Sequence, residues 1–233
     1  MTAQKELRVI CPVYNESEEC LKALAREWEP VLDQCLSDWE WVFIDDGSTR
    51  PDTMRALAAL VGGGSKFRCW RIPNSGHGRA CVAGYKQFHG VSRWLLQIDS
   101  DRQCRPEDFS LLWKGRREGL HMFGVRRGRE DGWSRRLISL AVRLYLWSAT
   151  GIFHPDPNCP YRLLWTHDLS PCLERLNYSL ANIALALRLF QDSRFCGIGF
   201  RARPDGQSSH NIRATLRALL ELADGASQRR SSR

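Results

Sequence analysis

The chain has 233 residues, of which 43% are hydrophobic and 26% charged, a balance typical of one large globular domain. This composition excludes intrinsic disorder, collagen and low-complexity scaffolds as descriptions of the whole chain. The formal net charge of +8 is compatible with nucleic acid, but no nucleic-acid-binding motif accompanies it, so no nucleic-acid partner is predicted.

The cysteines and the N-terminus indicate the cellular compartment. The nine cysteines are never closer than nine residues apart, which excludes the paired spacing of zinc ribbons and fingers. Their number is odd and residues 1–8 carry no apolar leader, so we expect reduced, mostly buried thiols in a cytoplasmic protein. The most apolar long stretch, 137–153, contains Arg143 and is shorter than the ~20 residues of a membrane span, so no transmembrane helix is predicted.

The first half of the sequence alternates between short apolar runs and helix-compatible segments. The alternation predicts βαβ units, and hence an α/β fold whose mostly parallel central sheet is flanked by helices. Ligands of such a sheet bind at the carboxyl ends of its strands, so the residues after each apolar run are candidates for a site. The runs are 7–13, 39–45, 67–72 and 93–98, and the helical segments are 18–32, 51–61 and 78–88.

The second half is less regular. It contains a predicted helix at 133–150, a loop at 154–160 and one further strand at 194–201. After a loop at 203–209, apolar residues recur at helical spacing and predict an amphipathic helix. The polar, basic tail at 225–233 is expected to be disordered. The residues of the amphipathic pattern are Ile212, Leu216, Leu219 and Leu220.

Asp99 and Asp101 follow the fourth apolar run and form a candidate metal site. Their spacing lets both carboxylates converge on one hard divalent cation, with Gln103 as a third oxygen ligand. Mg²⁺ or Mn²⁺ would keep positions open for phosphate oxygens. The alternative is a simple acidic turn. An EF-hand loop is excluded because Cys104 occupies the position that requires glycine.

Two other strand ends are suited to a nucleotide. A carboxylate of Asp45 or Asp46 can accept a hydrogen bond from a base or ribose hydroxyl, although the same residues also suit an ordinary strand-to-helix turn. The glycine-rich loop at 74–80 precedes a helix and can present backbone N–H groups to a phosphate. It is not a Walker loop, because no Gly-Lys-Ser/Thr follows.

Five arginines cluster before and within the long predicted helix. A basic entrance beside an apolar helix suits an anionic lipid head group with its tail, and the alternative is a solvated helix face. The arginines are Arg126, Arg127, Arg129, Arg135 and Arg136.

Together these segments resemble family 2 glycosyltransferases of the GT-A fold, and within them the polyprenyl-phosphate group typified by dolichol-phosphate mannosyltransferase. Residues 12–16, Pro-Val-Tyr-Asn-Glu, are similar to the family's Pro-x-Tyr-Asn-Glu opening, and residues 45–48 to its Asp-Asp-Gly-Ser segment. Residues 74–78 resemble its glycine-rich element, and residues 99–103 its metal motif Asp-x-Asp-x-Gln. The resemblance extends over about residues 7–210 and is looser in the second half.

The second-half matches concern the acceptor. Gly124-Val125-Arg126 resembles the family's Gly-Ser-Arg, and Arg135 with Ser139 resembles its acceptor-phosphate pair. Arg203 is similar to an arginine near the membrane interface, and Asp156 with Tyr161-Arg162 resembles a degraded form of the family's Asp…Gly-Phe-Arg segment. The relatives' C-terminal transmembrane helices have no counterpart in this sequence, which leaves open a membrane-surface enzyme or one with a soluble acceptor.

The resemblance implies a role for each candidate residue. The implied nucleotide-binding residues are Pro12, Tyr14, Glu16, Asp45, Asp46, Asn74, Gly76, His77, Asp99 and Ser100. The implied metal ligands are Asp99, Asp101 and Gln103, for Mg²⁺ or Mn²⁺. The implied acceptor-binding residues are Arg126, Arg135, Ser139 and Arg203. The implied catalytic residues are Asp101, Arg126, Arg135, Ser139 and Asp156.

The implied activity is an inverting, metal-dependent transfer of a sugar from a UDP- or GDP-sugar to a polyprenyl phosphate lipid, at the cytoplasmic face of a membrane. A Rossmann-like GT-A domain at 1–224 would comprise a nucleotide and metal half, 1–118, and a helical acceptor half, 119–224. Two alternatives stay open: a hydroxyl acceptor, for which Asp156 is the candidate base, and a non-catalytic partner subunit. The nucleotide base, the sugar, the acceptor and the oligomeric state are not determined by the sequence.

Overall fold

The computed structural model of the chain describes residues 4–63, 66–127, 132–174, 176 and 180–201, with the backbone alone for residues 132–138. Its strands are β1 (Lys5–Val13), β2 (Trp39–Asp45), β3 (Phe67–Arg71), β4 (Ser92–Gln97), β5 (His121–Arg127), β6 (Arg162–Trp165) and β7 (Ser193–Gly199). Its α-helices are α1 (Glu18–Cys35), α2 (Pro51–Gly63), α3 (His77–Phe88), α4 (Phe109–Gly115), α5 (Gly132–Thr150), α6 (Ser170–Leu173) and α7 (Ala181–Arg188).

The seven strands form one sheet in the order β3-β2-β1-β4-β6-β5-β7. β1 pairs in parallel with β2 and β4, β2 with β3, and β5 with β7. β6 runs antiparallel to both of its neighbours, β4 and β5. The prediction of a mostly parallel sheet flanked by helices is therefore confirmed, with β6 as the one strand that departs from it among the described residues.

The central strands are buried on both faces, which explains why they are continuous apolar runs rather than alternating patterns. On one face α1, α2 and α4 contribute to a core that contains Trp28, Trp41 and Phe109. On the other face α3, α6 and α7 pack over Ile10 and Ile44. Within the described ranges each side of the sheet is thus covered by helices, which leaves its edges and strand ends for ligands.

Glycine at position 84 allows α3 to pack directly on the sheet. A Cβ atom at Gly84 would lie 2.6 Å from Ile10 Cγ2, closer than real Cβ contacts allow, and 3.3 Å from Ile44 Cγ1, a tight contact. Because α3 begins at His77, this close packing fixes the position of the helix end beside the carboxyl ends of β1 and β2. The fold therefore holds the start of α3 at the sheet edge where the predicted site lies.

The predicted elements differ from the observed ones mainly in the second half. The strands β5 and β6 and the helices α4, α6 and α7 were not predicted, whereas the predicted strand at 194–201 corresponds to β7. The predicted helix around Ile212–Leu220 and the tail at 225–233 lie outside the described residues. The nine cysteines, all within the described residues, are unpaired. Within the described ranges, no helix is both long and apolar enough to cross a membrane.

Candidate functional site

The four polar segments that follow β1 to β4 meet at one edge of the sheet. These strands are parallel, so their carboxyl ends point the same way. From β1 the sheet continues in one direction to β2 and β3 and in the opposite direction to β4. The strand order therefore reverses between β1 and β4. A reversal of this kind opens a crevice at the carboxyl ends of the two strands, and ligands of open α/β sheets bind there.

Asp45 stabilises the turn after β2. The carboxylate is 2% exposed, accepts a hydrogen bond from the Ser48 N–H (2.9 Å), and pairs with the Arg71 guanidinium (3.1 Å). Arg71 also donates to the Ser48 carbonyl (2.9 Å). Both oxygens of Asp45 therefore already have partners within the chain, and the residue orders the loop in which the other candidates lie.

Asp46 connects the end of β2 to the glycine-rich loop. One carboxylate oxygen accepts from the N–H and the hydroxyl of Ser75 (2.7 and 3.0 Å), and the other from the Gly76 N–H (2.9 Å). Asn74 donates to the Asp46 carbonyl (2.9 Å). The N–H groups of Ser75 and Gly76, which sequence analysis expected to face a phosphate, are thus used within the chain to fix the start of α3.

Asn15 is a structural residue of the site. It belongs to the segment at 12–16 but was not among the residues predicted to bind a ligand. Its backbone has a positive φ of 53°, a conformation that asparagine tolerates better than most residues. Its side-chain oxygen accepts from the N–H groups of Thr49 and Arg50 (2.8 and 3.0 Å), and its own N–H donates to Ser48 Oγ (3.0 Å). Asn15 therefore joins the loop after β1 to the loop before α2.

The other candidates after β1 differ in exposure. Pro12 is buried in the strand, whereas the Tyr14 side chain is 51% exposed at its end. Glu16 accepts a hydrogen bond from Ser100 Oγ (3.4 Å), which connects the loop after β1 to the loop after β4. The exposed Tyr14 ring at the mouth of the crevice is well placed to contact a ligand there.

Asp99, Asp101 and Gln103 lie together on the loop after β4. The Asp99 side chain is 26% exposed and accepts from Gln97 Nε2 (3.2 Å). Asp101 accepts from the backbone N–H of Gln103 (3.2 Å), and Gln103 Nε2 donates to the Arg201 carbonyl (3.1 Å). Two carboxylates and the amide oxygen of Gln103 provide hard oxygen ligands, so the residues fit Mg²⁺ or Mn²⁺.

Within the described part of the chain, no group of three His, Cys, Asp or Glu side chains is arranged to hold a metal ion. A cation at this edge would have at most two protein carboxylates, together with Gln103. That is the pattern of a Mg²⁺-type site in which substrate phosphates complete the coordination, and it differs from a closed structural site.

His77 at the start of α3 lies beside the candidate metal ligands. Its Nε2 is 3.7 Å from Cys81 Sγ and 3.4 Å from Asp99 Oδ1. Cys81 and the Asp99 carboxylate raise the pKa of His77 above its ordinary value. The imidazole is half exposed, so a positive charge on it would face the crevice and suit an anionic ligand.

Arg126 and Asp156 form a buried pair on the other side of the crevice. Arg126 Nε and Nη2 each lie 2.7 Å from an oxygen of Asp156, and both side chains are 11% exposed. The Arg126 backbone N–H also donates to Asp156 (3.2 Å), and the guanidinium lies over the Phe200 ring (5.1 Å). β5 and β4 are separated by β6 alone, so the pair lies two strand positions across the sheet from β4.

The remaining acceptor candidates are only partly described. Ser139 lies within α5, where its carbonyl accepts from Arg143 Nε (3.4 Å). Arg135 is one helical turn earlier on the same helix face, and its side chain is outside the described residues. Arg203 is also outside the described residues. Arg201 contacts the loop after β4, because its backbone N–H donates to the Gln103 carbonyl (2.9 Å).

Comparison with known proteins identifies relatives along most of the chain. The family model described as Glycosyl transferase family 2 matches residues 8–163. The undecaprenyl-phosphate 4-deoxy-4-formamido-L-arabinose transferase of Aeromonas hydrophila is 29% identical over 225 residues, covering 94% of this chain and 67% of that protein. The enzyme of the same name from Serratia proteamaculans is 31% identical over 171 residues, covering 72% of this chain and 52% of that protein. The matched region thus spans between about half and two thirds of these relatives.

Solved structures show the same fold. Glucosyl-3-phosphoglycerate synthase from Mycobacterium tuberculosis, in complex with Mn²⁺, UDP and glucosyl-3-phosphoglycerate, has a TM-score of 0.63 at 19% identity and covers 97% of this chain and 80% of that one. Its complex with Mn²⁺, UDP-glucose and phosphoglyceric acid has a TM-score of 0.64 at 20% identity, covering 97% and 79%. At this identity the likeness concerns the fold alone, and it confirms the predicted GT-A architecture.

Proposed function

The chain belongs to glycosyl transferase family 2, and from that membership we propose that it transfers a sugar from a nucleoside diphosphate sugar to the phosphate of a polyprenyl phosphate lipid. The carrying observation is that Asp99, Asp101 and Gln103 lie at the strand-order reversal, with the Arg126–Asp156 pair carried by β5 and the loop before β6 of the same sheet. The relatives from Aeromonas and Serratia, which are named for transfer to undecaprenyl phosphate, support the lipid acceptor.

On the donor side, exposed Tyr14 would contact the nucleotide, and Asp46 and Asn74 would act by holding the loop beneath it. Asp99, Asp101 and Gln103 would hold Mg²⁺ or Mn²⁺ against the diphosphate. The cation, when bound, supplies Lewis-acid stabilisation of the negative charge that develops on the leaving nucleoside diphosphate. His77, with its raised pKa, would add positive charge beside the same diphosphate.

On the acceptor side, a phosphate oxygen would form a bond to the anomeric carbon from the face opposite the diphosphate. The bond from that carbon to the diphosphate oxygen breaks, and its electron pair leaves with the nucleoside diphosphate, so the configuration inverts. A phosphate monoester is mostly ionised at neutral pH, since its second pKa is near ~6, and no protein base is needed. Arg126, Arg135, Ser139 and Arg203 would then serve to bind and orient the acceptor.

The Arg126–Asp156 pair argues against a hydroxyl acceptor. A hydroxyl nucleophile needs a carboxylate base within reach, and Asp156 is the candidate that sequence analysis offered. Both of its oxygens are engaged by the Arg126 guanidinium at 2.7 Å, and the Arg126 N–H adds a third hydrogen bond. A carboxylate held in this way stabilises the position of an arginine and is poorly placed to accept a proton.

The exposed apolar face of α5 supports a location of the transfer reaction at a membrane surface. Leu140, Leu144 and Trp147 recur at helical spacing and are 40%, 46% and 52% exposed. Phe153 is also exposed, and its ring packs edge-on against Trp147 with centroids 6.4 Å apart. Between residues 132 and 155 the sequence carries three arginines and no acidic residue, a charge pattern suited to anionic lipid heads. With nine unpaired cysteines, the cytoplasmic leaflet is the proposed location.

The test is a comparison of two lipid acceptors. The full chain, with Mn²⁺ and a panel of labelled UDP- and GDP-sugars, is offered undecaprenyl phosphate or undecaprenol in the same detergent. We expect label to enter the lipid phosphate and not the lipid alcohol. Equal or preferred transfer to undecaprenol would contradict the proposed acceptor, and would instead favour a base-assisted reaction on a hydroxyl.

A further inference from the structure

Behind Asp99 lie two buried polar side chains, Gln97 of β4 and Tyr85 of α3, that are hydrogen-bonded in series. We infer that Tyr85 is a positioning residue for Asp99, acting through Gln97, an inference that rests on the proposed function because it assumes that Asp99 binds the donor's cation. Gln97 and Tyr85 are both 0% exposed, so neither can touch the donor or the acceptor directly. Their effect on the site has to pass through the side chain of Asp99.

The hydrogen bonds fix the direction of this series. Asp99, as a carboxylate, only accepts, so the Gln97 amide must turn its Nε2 towards Asp99 Oδ1 (3.2 Å). Gln97 Oε1 then accepts from the Tyr85 hydroxyl (2.8 Å). Without that hydroxyl, Oε1 would be a buried acceptor with no partner, and the amide would lose the contact that holds its orientation. Tyr85 therefore holds the Gln97 amide in the orientation in which its Nε2 donates to Asp99.

A second set of buried polar groups lies beside Tyr85 on the acceptor side. The Tyr85 hydroxyl has one proton, which it donates to Gln97, so its 3.4 Å approach to Asn182 Oδ1 is a polar contact and not a second hydrogen bond. The Asn182 backbone carbonyl accepts from Arg162 Nη1 (2.7 Å). Arg162 is 0% exposed and donates further to the carbonyls of Pro157 and Cys159 (3.0 and 2.8 Å). Both residues follow Asp156 in the loop between α5 and β6. Buried polar groups thus lie behind both Asp99 and the Asp156 loop, and the hydrogen-bonded series that reaches Asp99 begins at Tyr85.

Removal of the Tyr85 hydroxyl should weaken cation binding more than it weakens the fold. Loss of a partner one step behind a metal ligand typically costs 10–100-fold in metal affinity. Gln97 is that partner, and Tyr85 stands one step further back, so for Tyr85→Phe we expect the Mn²⁺ concentration that gives half of the nucleotide-induced rise in Tm to increase about threefold to tenfold, at or below the lower end of that range. The nucleotide is UDP or GDP at saturation, whichever stabilises the wild-type protein, and the readout requires no turnover.

The control is Tyr161→Phe. Tyr161 is equally buried, and its hydroxyl donates to the carbonyl of Arg105 (3.3 Å), two residues after Gln103 and outside the Tyr85–Gln97–Asp99 series of hydrogen bonds. It should lower the Tm without moving the Mn²⁺ midpoint. Gln97→Met should move the midpoint as Tyr85→Phe does, and the double variant should move it no further than Gln97→Met alone, because Tyr85 acts through Gln97.

The outcomes separate the inference from the proposed function. An unchanged midpoint in Tyr85→Phe, or an equal shift in Tyr161→Phe, overturns the inference and leaves the proposed function intact. Multiplicative shifts in the double variant also overturn it. A wild-type protein that neither UDP nor GDP stabilises in the presence of Mn²⁺ contradicts the proposed function, and with it the role assigned to Asp99.

Discussion

Asp46 and Asp99 are both acidic residues at strand ends, yet their surroundings give them different roles. Asp46 is 3% exposed and spends both oxygens on the backbone of Ser75 and Gly76. The Asp99 side chain is 26% exposed, and the Gln97 amide (3.2 Å) and His77 Nε2 (3.4 Å) both lie against the same oxygen, Oδ1. Because the Asp46 carboxylate is buried and accepts three hydrogen bonds from the chain, Asp46 organises the loop, whereas the more exposed Asp99 can serve as a ligand.

Two buried histidines predict how stability depends on pH. Burial lowers the pKa of His121 and of His154 to about 4, and for His154 the Arg162 charge acts in the same direction. Both imidazoles are neutral in the folded protein, whereas in the unfolded chain they bind protons below pH ~6.5. Stability is therefore full above about pH 6.5 and is lost as the pH falls towards 4.

The histidine prediction is tested by urea unfolding at pH 7 and pH 5. Each histidine should account for a loss of about 2 kcal/mol between these values, so His121→Leu should reduce the wild-type loss by about that amount. His167→Ala is the matched control, because His167 is exposed and should not change the difference. An unchanged pH dependence in His121→Leu would show that His121 does not titrate as its burial requires.

At the scale of single elements, the contact of α3 with the sheet depends on Gly84. Ala at this position would push its Cβ into Ile10, so we expect Gly84→Ala to cost about 1–2 kcal/mol despite the better helix propensity of alanine. Gly62→Ala in α2, where nothing lies within 4 Å, should stabilise the protein by up to about 1 kcal/mol. Chemical denaturation measures both, and a Gly84→Ala protein as stable as the Gly62→Ala protein would contradict the close packing.

The exposed face of α5 predicts binding to anionic membranes. Leu144→Ser combined with Trp147→Ser removes the two most exposed apolar side chains of the described helix face. We expect sedimentation with phosphatidylglycerol vesicles to fall several-fold, because buried apolar area contributes to interfacial binding. Met54→Ser combined with Leu111→Ser removes comparably exposed apolar side chains on α2 and α4 and should leave binding unchanged. Equal losses in the two variants would remove α5 as the docking face.

The sequence predicted β1 to β4 because these strands are buried on both faces and read as apolar runs. It did not predict β5, where Gly124 and two arginines break the run, or β6, which is four residues long and begins with Arg162. Site residues that are close together along the chain were found because they directly follow these apolar runs. The Asp46 contacts with the glycine-rich loop and the Arg126–Asp156 pair were not, because they join residues about 30 positions apart.

At the scale of the whole molecule, both sides of the site are built on one sheet. β1 to β4 carry the donor-side loops, and β5 with the loop before β6 carries Arg126 and Asp156. The two sides are also connected at the end of the described chain, where the backbone of Arg201 pairs with Gln103. A rigid sheet edge with loops fixed by buried carboxylates is a suitable frame for holding two anionic substrates at a defined separation.

Thermal unfolding with UDP or GDP, each with and without Mn²⁺, tests most directly whether this chain is a metal-dependent nucleotide-sugar enzyme. With ligand at a hundredfold excess over Kd, we expect one nucleotide to add about 2.7 kcal/mol of stability with Mn²⁺ and much less without it. Asp101→Asn should lose the Mn²⁺-dependent part of this stabilisation. Asp168→Asn, which changes an exposed carboxylate distant in sequence from the loop after β4, should retain it. Stabilisation by neither nucleotide would contradict the enzyme assignment at this site and favour a non-catalytic partner subunit.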